Sequence, residues 1–217
     1  MKRERHVLVV LPHPDDECGI SGTLVDHIKN GTPVTYICLT LGEMGRSMGN
    51  PPFANRVSLP VIRKKELEQS CRAIGITDLR MWGVHDKTVE FEDREALIER
   101  LREAIAELQP SLIFTFYPGY SVHPDHDATG ALVIQTVERM PADERPAVHC
   151  VAFSKDCETV LGPPDIVRDV SSNLKQKIGS LEAHRTQGLF LWGKKSYEDE
   201  EVKPRLMKER FWTYRFS

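Results

Sequence analysis

Residues 6–22 read HVLVVLPHPDDECGISG, and their reading decides the fold. Five consecutive apolar residues, Val7 to Leu11, leave no polar face, as a strand must when both of its sides are covered. Pro12 ends the run, and His13, Asp15, Asp16 and Glu17 follow within five positions. An imidazole and three carboxylates therefore stand at the carboxyl end of a core strand.

The same grammar recurs along the chain. Residues 34–41 (VTYICLTL), 79–84 (LRMWGV), 111–117 (SLIFTFY) and 147–154 (AVHCVAFS) are further strand candidates, rich in β-branched and aromatic residues. Helical patterns fill the intervals at 18–30, 60–74, 92–108 and 126–140. In the third, Leu97, Leu101, Ile105 and Leu108 recur at spacings of three and four, and Pro110 supplies a stop. Alternating strands and helices predict an α/β architecture: a doubly wound, mostly parallel sheet with helices on both faces. Ligands of such sheets bind beyond the carboxyl ends of the strands, where the opening cluster stands. The whole of 1–217 reads as one domain, with 174–217 a helical C-terminal extension, and 165–170 (DIVRDV) as a short strand before it.

Composition narrows the function. The 217 residues are 40% hydrophobic and 28% charged, with a formal net charge of −3. That balance suits a globular protein with a full core and gives no basic field for nucleic acid or an anionic membrane. The five cysteines form no C-x-x-C pair, which fits buried free thiols in a reducing compartment. The short apolar run near the start is followed at once by acids, unlike a secretory signal, and no run reaches transmembrane length. A cytoplasmic location is expected, with a small molecule rather than a nucleic acid or membrane as partner.

A second His-Pro-Asp lies at 123–125, again after an apolar strand, in SLIFTFYPGYSVHPDHDATG. In a chain with 8 His and 14 Pro, chance repetition of this tripeptide is rare. Two such turns brought together offer imidazole nitrogens and carboxylate oxygens, the ligand types of catalytic zinc. Three would hold the metal, while a spare carboxylate takes a proton from water and a spare imidazole stabilises an oxyanion. Spacing does not decide between His123 and His126 as ligand. Two histidines and a carboxylate also describe non-haem iron oxygenases, so Fe2+ stands beside Zn2+. A non-catalytic account exists too, in which Asp15, Asp16, Glu17 and Asp127 load helix N-termini.

The motifs PHPDDE and HPDH resemble those of the PIG-L/LmbE family of zinc-dependent N-deacetylases, which act on N-acetylglucosaminyl compounds. Residues 40–45 (TLGEMG), 63–76 (RKKELEQSCRAIGI), 84–86 (VHD) and 177–187 (KIGSLEAHRTQ) resemble family blocks in the same order, so the likeness spans most of 6–187. Residues 41–56, 115–130 and 183–187 look most like the bacillithiol-biosynthesis deacetylases, which remove acetyl from N-acetylglucosaminyl malate. The resemblance implies a Rossmann-like (LmbE-like) fold. It implies His13, Asp16 and His126 as zinc ligands, Asp15 as general base, and His123 as the oxyanion stabiliser and possible proton donor to the amine. Some relatives carry a tyrosine two residues before the histidine matching His123; here that place is Ser121, with Tyr120 one earlier. Amidases acting on other amino-sugar or thiol conjugates share this site and remain an alternative. Oligomers are common among relatives, so a homo-oligomer is open.

Four residues are expected to contact substrate. Arg63 opens the family's R-x-x-E helix and, with Arg46 in the glycine- and proline-rich loop 42–59, suits a carboxylate-bearing aglycone. Glu43 suits sugar hydroxyls, and Asp86 stands at the correct sheet edge. His184 and Gln187 match a block near the pocket, although a histidine on a helix face is more often structural.

Overall fold

The computed structural model describes residues 2–188, 197, 199–200 and 202–216. Seven strands are β1 (Val7–Leu11), β2 (Val34–Cys38), β3 (Asp78–Met81), β4 (Leu112–Phe116), β5 (Ala147–Val151), β6 (Ile166–Asp169) and β7 (Lys208–Thr213). They form one sheet in the order β3-β2-β1-β4-β5-β7-β6. The first five are parallel, and β7 runs antiparallel to both β5 and β6. Among the described residues the α-helices are α1 (Ser21–Lys29), α2 (Leu59–Ile74), α3 (Arg94–Leu108), α4 (Pro124–Glu138), α5 (Cys157–Leu161), α6 (Leu174–Ala183) and the short α7 (Lys203–Leu206).

The opening strand behaves as its composition requires. All five residues of β1 are buried, and alternate ones face opposite layers. Val7, Val9 and Leu11 join Leu24 of α1 and Leu67 of α2, while Leu8 and Val10 join Leu101 of α3 and Leu132 of α4. The doubly wound, mostly parallel reading therefore holds, with helices on both faces. All five cysteines are free and buried. Among the described residues, no helix is long and apolar enough to cross a membrane.

The tail departs from the expected helical extension. Leu174–Ala183 is a helix, but Lys208–Thr213 is a strand inserted between β5 and β6. Glu209 and Phe211 are buried while Lys208 and Arg210 are exposed, so the basic–aromatic alternation there is the period of two of a strand. Positions 189–196 of the expected helical tail lie outside the described residues. β7 also secures α1, whose N-cap Ile20 makes no side-chain cap bond. Glu209 accepts from the backbone N–H of Gly22 at 2.9 Å and of Thr23 at 2.8 Å, and pairs with buried Lys177 of α6. Hydrogen bonds to a charged group contribute about 1.5–3 kcal/mol each, so this acid fastens three elements behind the first His-Pro-Asp turn.

Sheet order places the chemistry. From β1 the chain winds one way to β2 and β3 and the other way to β4 and β5, which opens a crevice at the carboxyl ends of β1 and β4. The two His-Pro-Asp turns leave those two ends.

Candidate active site

The first turn is held in an unusual backbone state. Asp15 has φ 104°, a left-handed value that a non-glycine residue adopts only when its surroundings enforce it. Two contacts do so. Its N–H donates to Glu17 Oε2 at 3.0 Å, and its Oδ2 accepts from Arg63 Nη2 at 2.9 Å. Arg63, itself buried, also donates to the carbonyls of Pro14 and Gly42. Gly42 must be glycine here, because a Cβ would overlap the Arg63 guanidinium.

The second turn brings His123 and His126 beside the first. His123 is the N-cap of α4, and its Nδ1 accepts from the N–H of Asp125 at 3.2 Å. Val122 before it has φ 65°, strained for a β-branched residue. His126 stacks on Phe116 at 4.0 Å between ring centroids, and its Nδ1 faces the Ser121 carbonyl at 3.1 Å.

Three ligand atoms converge where the turns meet. His13 Nδ1 lies 3.2 Å from His126 Nε2 and 3.4 Å from Asp16 Oδ2, and His126 Nε2 lies 3.3 Å from Asp16 Oδ1. Ligands at about 2.0–2.2 Å from a tetrahedral ion stand about 3.3 Å apart. The tautomers fit as well. His13 Nε2 faces Asp86 Oδ1 at 3.1 Å and Asp125 Oδ2 at 3.2 Å, so the proton belongs there and Nδ1 carries a lone pair. The Ser121 carbonyl likewise fixes the proton of His126 on Nδ1 and leaves Nε2 bare. Two lone pairs and a carboxylate pointed at one another require a cation, and this donor set suits a divalent metal. The surrounding acids draw positive charge to this point: burial opposes charge on His13, yet bonds to Asp125, Asp16 and Asp86 raise its pKa well above the ordinary value, a charge that a bound cation would replace.

Asp15 stands beside the triad without joining it. Burial, assisted by neighbouring Asp16, pushes its carboxyl up to about 6 against the pull of Arg63. Burial and the neighbouring imidazoles of His13 and His126 keep His123 below the usual histidine range. Because its Nδ1 accepts from the backbone, neutral His123 carries its proton on Nε2, as an oxyanion donor requires. A polar cavity of about 450 Å³ is lined by all five residues together with Arg46, Arg63, Lys87 and Gln187.

Comparison with known proteins now decides the family. Residues 8–137 match the family model described as PIG-L, GlcNAc-PI de-N-acetylase. The chain belongs to the PIG-L family. It is 49% identical to the probable N-acetyl-α-D-glucosaminyl L-malate deacetylase 2 of Bacillus cereus, over 99% of this chain and 100% of that protein. The corresponding protein of Bacillus subtilis is 47% identical over 99% of each. Among solved structures, the N,N'-diacetylchitobiose deacetylase of Pyrococcus horikoshii superposes with a TM-score of 0.72 at 22% identity, covering 97% of this chain and 84% of its own. The 4-carboxy-2-hydroxymuconate hydratase GalB of Pseudomonas putida superposes at 0.71 and 17% identity, over 85% of this chain and 80% of its own. Both show the fold alone.

Within this PIG-L site the expected substrate contacts are redistributed. Arg63 lines the cavity and engages Asp15 and two carbonyls, so its guanidinium holds the turn. Asp86 gives one oxygen to His13 and the other to the N–H of Met44 at 2.8 Å. Glu43 Oε1 accepts from the N–H of Asp86 at 3.0 Å, one layer farther from the cavity. Carboxylates that orient a ligating histidine are a regular part of metal sites. Arg46, Arg63 and Asp86 all line the cavity, and of these Arg46 is the exposed one. Tyr120 packs on Tyr117, with ring centroids 5.6 Å apart, and lies in the cluster containing Trp212. His184 is fully buried against Glu17, while Gln187 reaches the cavity wall. The sequence reading passed over Asp125, although it occupies the Asp of the second His-Pro-Asp, and Lys87, a lone lysine that no motif marks.

Proposed function

We propose that the chain removes the N-acetyl group from N-acetyl-α-D-glucosaminyl L-malate, with His13, Asp16 and His126 holding Zn2+. The observation that carries the reading is the meeting of His13 Nδ1, His126 Nε2 and the Asp16 carboxylate beside Asp15, whose carboxylate lies outside that convergence. The full-length likeness to the Bacillus deacetylases supports the choice of substrate. When bound, the ion would polarise the amide carbonyl and lower the pKa of the attacking water. Asp15, with Oδ2 fixed by Arg63, receives that water's proton on Oδ1 and is poised near the working pH. His123 Nε2–H donates to the oxygen that gains charge as the carbonyl carbon becomes tetrahedral. Asp86 and Asp125 keep the His13 proton on Nε2, so Nδ1 stays available. Asp15 would then return that proton to the departing nitrogen, which completes hydrolysis to acetate and the free amine.

The test is amine release from the malate conjugate beside free N-acetylglucosamine, before and after chelation and Zn2+ restoration. Chelator-sensitive release selective for the conjugate is expected. No release by metal-loaded protein would overturn the substrate assignment.

Arg46 and Lys87 are exposed cations on the rim of the polar cavity, with no side-chain ion pair among the described residues, and they suit the two malate carboxylates. Replacing both by alanine is expected to raise KM for the conjugate at least tenfold with kcat little changed, and to leave free N-acetylglucosamine unaffected. Equal effects on both substrates would remove these residues from aglycone binding.

A further inference from the structure

The ligand triad is reached from two sides. Asp15, Asp16 and His126 line the polar cavity, and the same three line a second cavity of about 370 Å³ over β1, β4 and β5. The second cavity has a different chemistry. Leu11, Ile20, Phe116, Val151, Phe153 and Leu181 form most of its walls, beside buried Lys177, which pairs with Glu209, and exposed Arg205 and Lys208. Phe153, an apolar ring, is 48% exposed. An aliphatic chain laid along the apolar walls leaves water without needing polar partners.

Amide geometry connects the two spaces. In a trans secondary amide the nitrogen substituent and the acyl carbon lie on opposite sides of the C–N bond. With the amino sugar in the polar cavity and the carbonyl carbon beside Asp15, the acyl group leaves in the other direction, towards the apolar cavity. An acetyl methyl fills little of it, since even a water molecule needs only about 10–15 Å³ of cavity. Each further methylene buried there strengthens binding about fourfold.

We propose that the apolar cavity is an acyl subsite, and that the enzyme hydrolyses amino-sugar conjugates carrying unbranched aliphatic N-acyl chains longer than acetyl. This rests on the deacetylase reading above and extends it to the acyl side. The chemistry is unchanged: the oxygen of water bonds to the carbonyl carbon, the C–N bond breaks, the fatty acid leaves as its carboxylate and the nitrogen as the amine. Cys18, whose thiol burial pushes up to about 11, stays protonated in the cavity wall and does not compete as a nucleophile.

The experiment follows primary-amine release from the N-acetyl, N-butanoyl, N-hexanoyl and N-octanoyl forms of glucosaminyl malate by the metal-loaded enzyme. Wild-type kcat/KM is expected to rise with chain length, with the hexanoyl form at least tenfold above acetyl. Leu206, half-buried in the same wall, is replaced in a second arm. Leu206→Trp is expected to lower hexanoyl hydrolysis at least tenfold and leave acetyl hydrolysis within twofold. Acetyl hydrolysis with a steep fall at butanoyl would overturn the subsite and leave the deacetylase reading standing. Equal loss on both substrates in the variant, or no loss on either, would also overturn it. Hydrolysis of none of the four would overturn both.

Discussion

Asp15→Asn is expected to lower kcat by about 10²–10⁴-fold while the purified protein keeps its metal. Asparagine is the informative choice for two reasons. It tolerates the left-handed backbone that Asp15 adopts at φ 104°, so the turn survives. Its side-chain oxygen can still accept from Arg63, which holds Asp15 Oδ2 at 2.9 Å. What it loses is the ability to take a proton. Because Asp15 lies outside the convergence of His13 Nδ1, Asp16 Oδ and His126 Nε2, metal content should match the wild type. Asp16→Asn serves as the contrast and is expected to lose the ion. Metal analysis and single-substrate kinetics on the two variants check this. Loss of metal from Asp15→Asn, with retention by Asp16→Asn, would exchange the two assignments. An unchanged kcat in Asp15→Asn would remove Asp15 as the base.

The contrast between these adjacent acids marks how far the sequence could be read. β1 and β4 were legible because a strand buried on both faces is almost wholly apolar, Thr115 being the single polar residue of the two, and the turns after them because histidine and aspartate are costly at a strand end without a purpose. β7 was not, since Lys208, Arg210 and the aromatics that follow them look equally like an amphipathic surface segment until their partner strands are known. Charge was visible where partnership was not. Arg63, Asp86 and Glu43 were read as substrate contacts because a sequence shows an ionisable group but not the carbonyl, imidazole or N–H that occupies it. Asp125 escaped notice for the opposite reason. Its work is entirely internal: it accepts from the N–H of Lys87 at 2.7 Å and of Val89 at 3.3 Å while facing His13. Lys87 reaches the cavity through a turn with φ 68°, which composition does not reveal.

His184→Leu is expected to lower both stability and kcat, although His184 does not reach the cavity. His184 Nε2 lies 2.6 Å from Glu17 Oε1, and both side chains are completely buried. Burial opposes charge on each, but their mutual attraction raises the histidine well above its usual range and lowers the acid. Removing the imidazole leaves Glu17 with Ser70, the more distant Tyr36 hydroxyl and the N–H of Asp15. Breaking a buried pair from one side costs about 3–5 kcal/mol, so Tm should fall on the order of 10 °C. The consequence for catalysis follows from geometry. Glu17 Oε2 accepts the Asp15 N–H and so fixes the strained residue that carries the base. A carboxylate that shifts or takes up a proton to relieve its burial releases that restraint, and kcat should fall about 10–100-fold, the usual range for groups that orient a metal site. The double variant Glu17→Gln, His184→Gln replaces the ion pair with neutral partners that still bond to one another. It is expected to recover most of the stability and part of kcat, which a purely additive pair would not do. Thermal unfolding and steady-state kinetics on His184→Leu, on the single variants Glu17→Gln and His184→Gln and on the double variant decide the matter. Lost stability with wild-type kcat would make the pair a packing element only, and unchanged Tm would mean that Glu17 does not depend on His184.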